Sequence, residues 1–400
     1  GYGVYKSPDY HWRIGSNTKL FTATAVLQCI QDGLLSLDDT IEQFGVTWSV
    51  DAAHITIRHL LMMRAGIFDY TQDSSFGLMM YLWPTAATWT NMAYQHSLAF
   101  ARGQLWPAGK VYYYCNTNFL VLGDIVEKIR EKTIGEVVEQ DILAPLGMTE
   151  TTWLPWVPPA PTMPGYGWDM LFGAMPILGG IRNQTGFNPY AFKSSGQMSS
   201  TVKDMTKWAL ELCNSTLLEP EINALRQERF SIMPLAMNEG IDKYGYGLGF
   251  VSMGNWLGHD GSVPGYSSVC MYDPESEATS VGVENFQTPG IAIMSKLMPR
   301  IWNYLYPERA GMPNYPRYLE GIPSAEAFGR TILGDLEEIL GFVAAGTPKS
   351  ATGYFTNAIF SDAFDLPSDT EIVFAVVSRS SQGGLSGGVQ FGGRDMTALI

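Results

Sequence analysis

The chain has 400 residues, of which 46% are hydrophobic and 16% are charged. This is the composition of a globular protein, and the length suffices for two domains or for one large core with a subdomain. The formal net charge is −14 at pH 7, which argues against binding to the phosphate backbone of a nucleic acid. The sequence lacks a run of about eighteen apolar residues, so we expect no membrane-spanning helix.

The cysteines are far apart in the sequence, at Cys29, Cys115, Cys213 and Cys270. Because there is no Cys-x-x-Cys spacing and no neighbouring His, the pattern argues against a metal site, and we expect no cofactor. Buried free thiols are the simplest interpretation, and one or two disulfides are the alternative. Glycosylation sequons at Asn183 and Asn214 are compatible with secretion but arise often by chance, so secreted and cytoplasmic locations both stay open.

Residues 1–15 have the pattern of a strand that runs into a loop, and apolar residues then recur at helical spacing from Ser16 until Gly33 ends the helix. Later helices are predicted over 57–63, 119–129, 199–212, 291–306 and 325–345, with one more that ends near residue 143. Strands are predicted over 244–253, 267–272, 280–285 and 370–378. Gly258 to Gly261 and Asp273 to Glu275 are predicted to be turns between these strands.

These elements predict an α/β (α+β) fold, in which an antiparallel β-sheet is flanked by helices and joined to a mostly helical subdomain. The sheet domain is assigned to 1–33 and 195–306, and the subdomain to 34–194, which includes a Pro- and Gly-rich lid. A Pro-rich linker is predicted at 307–323. The remaining residues, 324–400, are expected to add a helix and strands that complete the sheet domain.

The start of the first helix carries a Ser and a Lys three residues apart, Ser16 and Lys19. Residues at this spacing lie on one face of a helix, so the Lys amine reaches the Ser hydroxyl. Backbone N–H groups at a helix start have no intrahelical partner and can stabilise a developing oxyanion. The pair therefore has the chemistry of an acyl-transfer nucleophile. Lys19 also lies in an almost entirely apolar helix, where a Lys needs partners or loses its charge.

Two further motifs each occur once in the chain, Tyr114-x-Asn116 before a predicted helix and His259-x-Gly261 before a predicted strand. With Ser16 and Lys19 they supply a nucleophile, two candidate bases, an orienting amide and one more donor. The Gly of the third motif would let a backbone approach a ligand.

Together, the three motifs resemble the serine β-lactamase and penicillin-binding-protein superfamily. The likeness is on the side of class C β-lactamases, family VIII esterases, D-aminopeptidases and transesterases of the lovastatin-acyltransferase kind. It covers residues 13 to about 305 and includes Pro107-Ala108-Gly109, Pro145-Leu146-Gly147-Met148 and Pro264-Gly265-Tyr266. It implies a β-lactamase/transpeptidase-like fold with an active site between the sheet and the subdomain.

The resemblance also implies a role for each motif residue. Ser16 attacks an acyl carbonyl, and Lys19 and Tyr114 activate it, at least one of them as the base. Asn116 hydrogen-bonds Lys19 or the substrate, and His259 stands near Tyr114. The oxyanion hole would use the backbone N–H groups of Ser16 and Ser262, the latter next to Gly261.

Two departures from the family pattern matter, the first as a tolerated swap and the second for the choice of substrate. Cys115 replaces a Ser, and His259 replaces a Lys that would offer a fixed positive charge to the carboxylate of a β-lactam or peptide. This favours an esterase or transesterase that acts on an ester, thioester or amide. A β-lactamase or D-amino-acid peptidase with the same site is the first alternative, and a catalytically inactive binding protein is the second. The expected partner is a small-molecule or peptide acyl substrate, and the oligomeric state is left open.

Two other serines also carry a motif. Ser200 and Lys203 repeat the Ser-x-x-Lys spacing, which we interpret as an ordinary helix start. Gly384 to Gly388, centred on Ser386, matches the Gly-x-Ser-x-Gly of a nucleophile elbow, but an elbow requires a following helix and a later catalytic His. No His follows His259, so this alternative is disfavoured.

Fifteen residues precede Ser16, where family members have a helix and a β-hairpin. Reading from Ile400 directly into Gly1 gives a run that resembles one continuous strand. We therefore expect the C-terminal part to supply the missing helix and hairpin, as in a circularly permuted order. The alternative is a truncated start with an unrelated C-terminal extension.

Overall fold

The structure is a computed structural model that describes residues 9–46, 51–73, 75–76, 93–153, 157–171, 175–227, 231–232, 244–287, 298, 302, 372–379, 385–391 and 394–395. The chain divides into two compact units, Gly1–Pro313 and Asn314–Ile400. The predicted helix over 325–345 and most of the one over 291–306 lie outside the described residues.

The strands of the first unit are β1 (Trp12–Arg13), β2 (Tyr166–Leu171), β3 (Met175–Asn183), β4 (Ser199–Ser200), β5 (Ser231–Ile232), β6 (Tyr244–Tyr246), β7 (Val251–Met253), β8 (Trp256–Val263), β9 (Tyr266–Tyr272), β10 (Thr279–Glu284) and β11 (Phe286–Gln287). Six of them form one antiparallel sheet in the order β10-β9-β8-β7-β6-β5. The short strands β1 and β4 pair antiparallel. A separate hairpin of β2 and β3, within the segment predicted as a lid, pairs in parallel with β11.

The helices that the structure describes are α1 (Thr18–Gln31), α2 (Ile57–Leu61), α3 (Ala93–Arg102), α4 (Asn116–Arg130), α5 (Ile134–Val138), α6 (Val202–Asn214) and α7 (Pro220–Gln227). A π-helical turn, Glu139–Leu143, continues α5. Helix α6 packs on β9 and β10, whereas α4 packs against α1. An antiparallel sheet with flanking helices confirms the predicted fold class.

Helix α1 lies in the core, as its mostly apolar sequence predicts. Its residues are buried from Thr18 to Leu27, and the Phe21 ring stacks on Trp208 of α6 with centroids 4.0 Å apart. Each large apolar side chain buried in this way contributes roughly 1.5–3 kcal/mol to stability. The helix ends as predicted at Gly33, whose φ of 69° is the left-handed conformation that a helix C-terminus favours.

The predicted turn at Gly258–Gly261 is wrong, because these residues lie inside the eight-residue strand β8. Turns do flank this strand, but they lie at Gly254-Asn255 and Pro264-Gly265. The glycines of β8 serve close packing instead. A Cβ on Gly258 would stand 2.1 Å from the carbonyl oxygen of Cys270 on the neighbouring strand.

Gly261 is the point at which β8 meets the turn that carries Ser16. A Cβ on Gly261 would stand 2.1 Å from the carbonyl oxygen of Ile14, and one on Gly15 would stand 2.9 Å from the backbone nitrogen of Ser262. Gly15 also has a φ of 55°, which side chains rarely adopt. We expected Gly261 to let a ligand approach, but its open side is filled by the backbone of the nucleophile turn.

The described part of the second unit consists of three strands, β12 (Ile372–Arg379), β13 (Leu385–Phe391) and β14 (Arg394–Asp395). They pair antiparallel with one another. Ser386 lies within β13, opposite Ser378, and not on a strand-to-helix turn as a nucleophile elbow requires. Residues 1–8 lie outside the described residues, so the circularly permuted order stays a prediction.

The remaining expectations concern thiols, metals and membranes. All four cysteines are free thiols, and three of them are buried as expected, whereas Cys213 is half-buried. Within the described residues, no three His, Cys, Asp or Glu side chains are grouped in a way that could hold a metal ion. The helices among the described residues are all too short or too polar to cross a bilayer.

The close contact at Gly261 yields a test of stability. In Gly261→Ala the added methyl group collides with the backbone at Ile14, and we expect the free energy of unfolding to fall by about 1–3 kcal/mol. Urea denaturation measures this change. Gly186→Ala is the matched control, because a Cβ there meets nothing within 4 Å. Equal stability of Gly261→Ala and the control would contradict the packing described here.

Candidate active site

Ser16 lies on a 3-10 turn, Gly15–Asn17, which directly precedes α1. Buried hydrogen bonds fix this turn on the sheet. The Asn17 amide donates to the Ser268 hydroxyl at 2.9 Å, and this hydroxyl donates to the Ile14 carbonyl at 3.0 Å. Ser16 itself is half-buried and lines a cavity. The turn is thus held on β9 by hydrogen bonds of the Asn17 and Ser268 side chains, and Ser16 lines the cavity.

The Lys19 side chain is completely buried, one helical turn from Ser16. Its Nζ donates to the Ser16 Oγ at 3.0 Å, to the Asn116 Oδ1 at 2.8 Å and to the Ser195 carbonyl oxygen at 2.7 Å. Burial lowers the pKa of Lys19 to about 7, although the negative charges of Asp69 and Asp260 raise it. A large share of the amine is therefore neutral near pH 7 and able to accept a proton.

Tyr114 lies in the loop before α4, with its ring beside Lys19. The Lys19 Nζ is 5.0 Å from the centre of this ring. Burial raises the pKa of Tyr114 well above its usual value, although a hydrogen bond with Ser16 lowers it. The phenol therefore stays protonated near neutral pH, and in this state it is a proton donor.

Asn116 is the first residue of α4 and connects Lys19 to Asp69, a residue that the sequence analysis did not identify. The Asn116 Nδ2 donates to Asp69 Oδ2 at 3.1 Å, so its Oδ1 faces Lys19. Asp69 is 2% exposed and also accepts from the Thr71 N–H at 3.1 Å. Burial raises the pKa of Asp69, and the nearby Lys19 lowers it. The sequence signal is weak, since an Asp two residues before a Thr also marks ordinary turns.

His259 lies on β8 and is completely buried. Its Nε2 is 3.1 Å from the hydroxyl of Tyr246, and its Nδ1 is 2.5 Å from the carbonyl oxygen of Asp260. The Tyr114 and His259 rings are 6.1 Å apart, and Tyr246 contacts both of them. His259 is thus near Tyr114, as expected, but its hydrogen bonds go to Tyr246 and Asp260.

Three of the motif residues, Ser16, Tyr114 and Asn116, line a cavity of about 280 Å³. It is lined by Ser16, Tyr114, Asn116, Phe192, Gly196, Val251, Asp260, Ser262 and Val263. The backbone nitrogen of Ser262 lies beside Gly15, the residue before Ser16. This arrangement offers a hydroxyl nucleophile, a neutral amine beside it, a phenol donor and backbone N–H groups, which together suit acyl transfer.

The β-lactamase family model matches residues 5–300, which is most of the chain. The chain belongs to the β-lactamase family. The family and its solved relatives include serine hydrolases, so the wider resemblance predicted from the motifs is confirmed.

Three relatives show which kinds of protein this chain is similar to. Penicillin-binding protein 4 of Amycolatopsis lactamdurans is 30% identical over 163 residues, which are 39% of this chain and 39% of that protein. The match thus spans well under half of this curated relative. A D-stereospecific amidohydrolase from Streptomyces sp. matches with a TM-score of 0.61 at 26% identity, covering 69% of this chain and 82% of that one. An octameric penicillin-binding protein homologue from Pyrococcus abyssi shares the fold, with a TM-score of 0.63 at 24% identity over 82% of this chain and 71% of that chain.

The link from Asp69 to Lys19 can be tested by the pH dependence of Ser16 labelling. We expect labelling by a fluorophosphonate to rise with pH through about 7, the pKa of Lys19, because only the neutral amine accepts the Ser16 proton. The negative charge of Asp69 raises this pKa. Its removal in Asp69→Asn therefore lowers the pKa and moves the rise to lower pH.

Asp73→Asn is the control for this experiment. Asp73 lies in the same segment and is also buried, but its carboxylate pairs with Arg102 at 3.0 Å. Its labelling profile should match that of the wild type. An Asp69→Asn profile that stays in place or moves to higher pH would contradict an electrostatic link between Asp69 and Lys19.

Proposed function

We propose that the protein is a serine hydrolase that cleaves an ester or amide through an acyl-enzyme on Ser16. The observation that carries the proposal is the contact between the Lys19 Nζ and the Ser16 Oγ, at 3.0 Å in a buried setting. A buried amine with a pKa of about 7 is matched to general-base work at neutral pH.

In the first step, neutral Lys19 takes the proton of Ser16 while Oγ forms a bond to the acyl carbon. The carbonyl oxygen gains negative charge, and the backbone N–H groups of Ser16 and Ser262 are the donors that would stabilise it. One such donor typically contributes about 3–4 kcal/mol to transition-state stabilisation. Tyr114 then protonates the leaving alcohol or amine as its bond to carbon breaks, and the proton on Lys19 restores the phenol.

In the second step, water attacks the acyl-enzyme. Lys19 is neutral again and accepts a proton from this water. The serine leaves carbon, takes a proton back, and the carboxylic acid departs. An alcohol or amine that replaces water in this step would give transfer instead of hydrolysis, so the esterase and transesterase hypotheses share one mechanism.

Within this class, an ester or amide of modest size fits the site best. Phe192, Val251 and Val263 form apolar walls around the nucleophile, which suit the apolar part of an acyl group. The likeness to the D-stereospecific amidohydrolase from Streptomyces sp., at 26% identity, supports an amide as well as an ester. The esterase preference expected from His259 therefore stays a proposal.

The nucleophile assignment is tested by intact mass after incubation with a fluorophosphonate. Wild-type protein should gain one label, and Ser16→Ala should gain none, with ester hydrolysis reduced by at least about a thousandfold. Ser386→Ala is the control for the Gly-x-Ser-x-Gly alternative and should label like the wild type. Labelling that survives in Ser16→Ala would overturn the assignment. If the wild-type protein neither gains a label nor hydrolyses esters, the result would favour the hypothesis of a catalytically inactive binding protein.

The β-lactamase alternative is tested by a comparison of substrates. A β-lactam carries a carboxylate, and Asp260 lines the cavity where a fixed positive charge would have to bind it. We expect hydrolysis of p-nitrophenyl butyrate with kcat/KM about a hundredfold or more above that for nitrocefin, because like charges repel. Ser16→Ala measures the background for both substrates. Equal turnover of the two would favour the β-lactamase or D-peptidase.

A further inference from the structure

A residue with a left-handed backbone stands beside the segment that carries Tyr114. Met63 has a φ of 58°, a conformation that a residue with a long side chain rarely adopts. The side chain of Met63 is completely buried. An uncommon backbone conformation of this kind persists only where the contacts around it hold it in place, and such residues cluster at functional sites. The contacts of Met63 show what the conformation provides.

Met63 holds the main chain on both sides of Tyr114. Its carbonyl oxygen accepts from the Tyr113 N–H at 2.8 Å, and its Sδ accepts from the Cys115 N–H at 3.3 Å. The Asn118 Nδ2 also donates to this sulfur, at 3.8 Å. One residue thus supplies acceptors, from its main chain and from its side chain, to the residue before Tyr114 and to the residue after it.

The bond to the sulfur satisfies a donor that is shielded from water. Cys115 is 1% exposed and is the N-cap residue of α4. A buried N–H group that loses its acceptor is unfavourable, so the main chain at Cys115 would move to find another acceptor. Leucine has about the size and hydrophobicity of methionine but no sulfur. Met63→Leu therefore removes this bond while the core stays filled.

The position of the main chain at Tyr114 decides where its phenol lies. Tyr114 lines the cavity and shares a hydrogen bond with Ser16. A proton donor is effective only within hydrogen-bond reach of the atom that it protonates, and a displacement of about 1 Å can lower a rate a hundredfold. A shift of the main chain beside Tyr114 would therefore move the phenol away from the leaving group.

We propose that Met63 is a positioning residue for Tyr114, whose main chain it holds from both sides so that the phenol can protonate the leaving group. With its left-handed backbone, this single residue presents a carbonyl oxygen and a thioether sulfur to the same segment. The inference rests on the proposed function, in which Tyr114 is the proton donor.

The test uses phenyl butyrate and p-nitrophenyl butyrate, which differ only in one nitro group. The p-nitrophenolate ion leaves readily without a proton, whereas phenolate is a poorer leaving group and depends more on a proton donor. The measured quantity is the ratio of kcat/KM for the phenyl ester to kcat/KM for the p-nitrophenyl ester. A variant that merely loses folded protein or lowers the reactivity of Ser16 lowers both values and leaves this ratio unchanged.

We expect the ratio to fall about tenfold in Met63→Leu and about a hundredfold in Tyr114→Phe. The double variant should match Tyr114→Phe, because no phenol is left to be positioned. Met205→Leu is the matched control, since Met205 is also completely buried but lies on α6, and its ratio should equal that of the wild type. A ratio in Met63→Leu equal to the wild-type value would overturn the proposal, as would a further fall in the double variant.

A second measurement follows the hydrogen bond itself and needs neither a variant of Met63 nor turnover. Isotope-labelled cysteine gives four backbone amide resonances by NMR, because the chain has four cysteines, and Cys115→Ser identifies the one from Cys115. Selenomethionine in place of methionine changes the acceptor atom. The Cys115 resonance should then move, whereas that of Cys213, within α6, should stay in place. An unchanged Cys115 resonance would overturn the proposal.

The two measurements separate this proposal from the proposed function. A wild type that neither hydrolyses esters nor gains a fluorophosphonate label would overturn the proposed function, and the Cys115 resonance would still decide whether Met63 holds the segment. Ester turnover that depends on Ser16, with an unchanged ratio in Met63→Leu, would overturn only the role of Met63.

Discussion

The burial of the Lys19 amine against three oxygen atoms is the interaction on which the candidate site depends. The oxygens come from separate parts of the chain, the turn of Ser16, the start of α4 at Asn116 and the backbone of Ser195. Removing an ammonium group from water costs several kcal/mol, and the side chain responds by a lowered pKa. The packing of α1 into the core thus leaves a large share of the Lys19 amine neutral near pH 7, and only the neutral amine can accept a proton.

A second constraint is the close contact between the nucleophile turn and β8. Gly15 and Gly261 bring two backbones together without side chains between them. The turn and the strand therefore meet through main chain, which cannot change rotamer. This contact fixes the Ser262 nitrogen relative to the nucleophile turn more firmly than side-chain contacts would, because its position is set by the sheet itself.

Much of this arrangement could be predicted from the sequence, and the reasons for success and failure are physical. The buried helix and the four residues Ser16, Lys19, Tyr114 and Asn116 lie in short motifs next to clear periodic segments, so local pattern suffices. Asp69 was missed because its role depends on a contact with a residue far along the chain. The Gly258–Gly261 segment was predicted as a turn because glycines that allow close packing of backbones look the same in a sequence as glycines that allow a bend.

The alternation along β8 places two kinds of residue on opposite faces of one strand. One face carries His259 and Gly261, which pack against Tyr246 and the nucleophile turn, while the other carries Asp260 and Ser262 and lines the cavity. The negative charge of Asp260 also raises the pKa of Lys19, and its Oδ1 is 3.3 Å from the Nδ1 of His259. A substitution of Asp260 during evolution would therefore change the lining of the cavity and the pH dependence of the site in a single step.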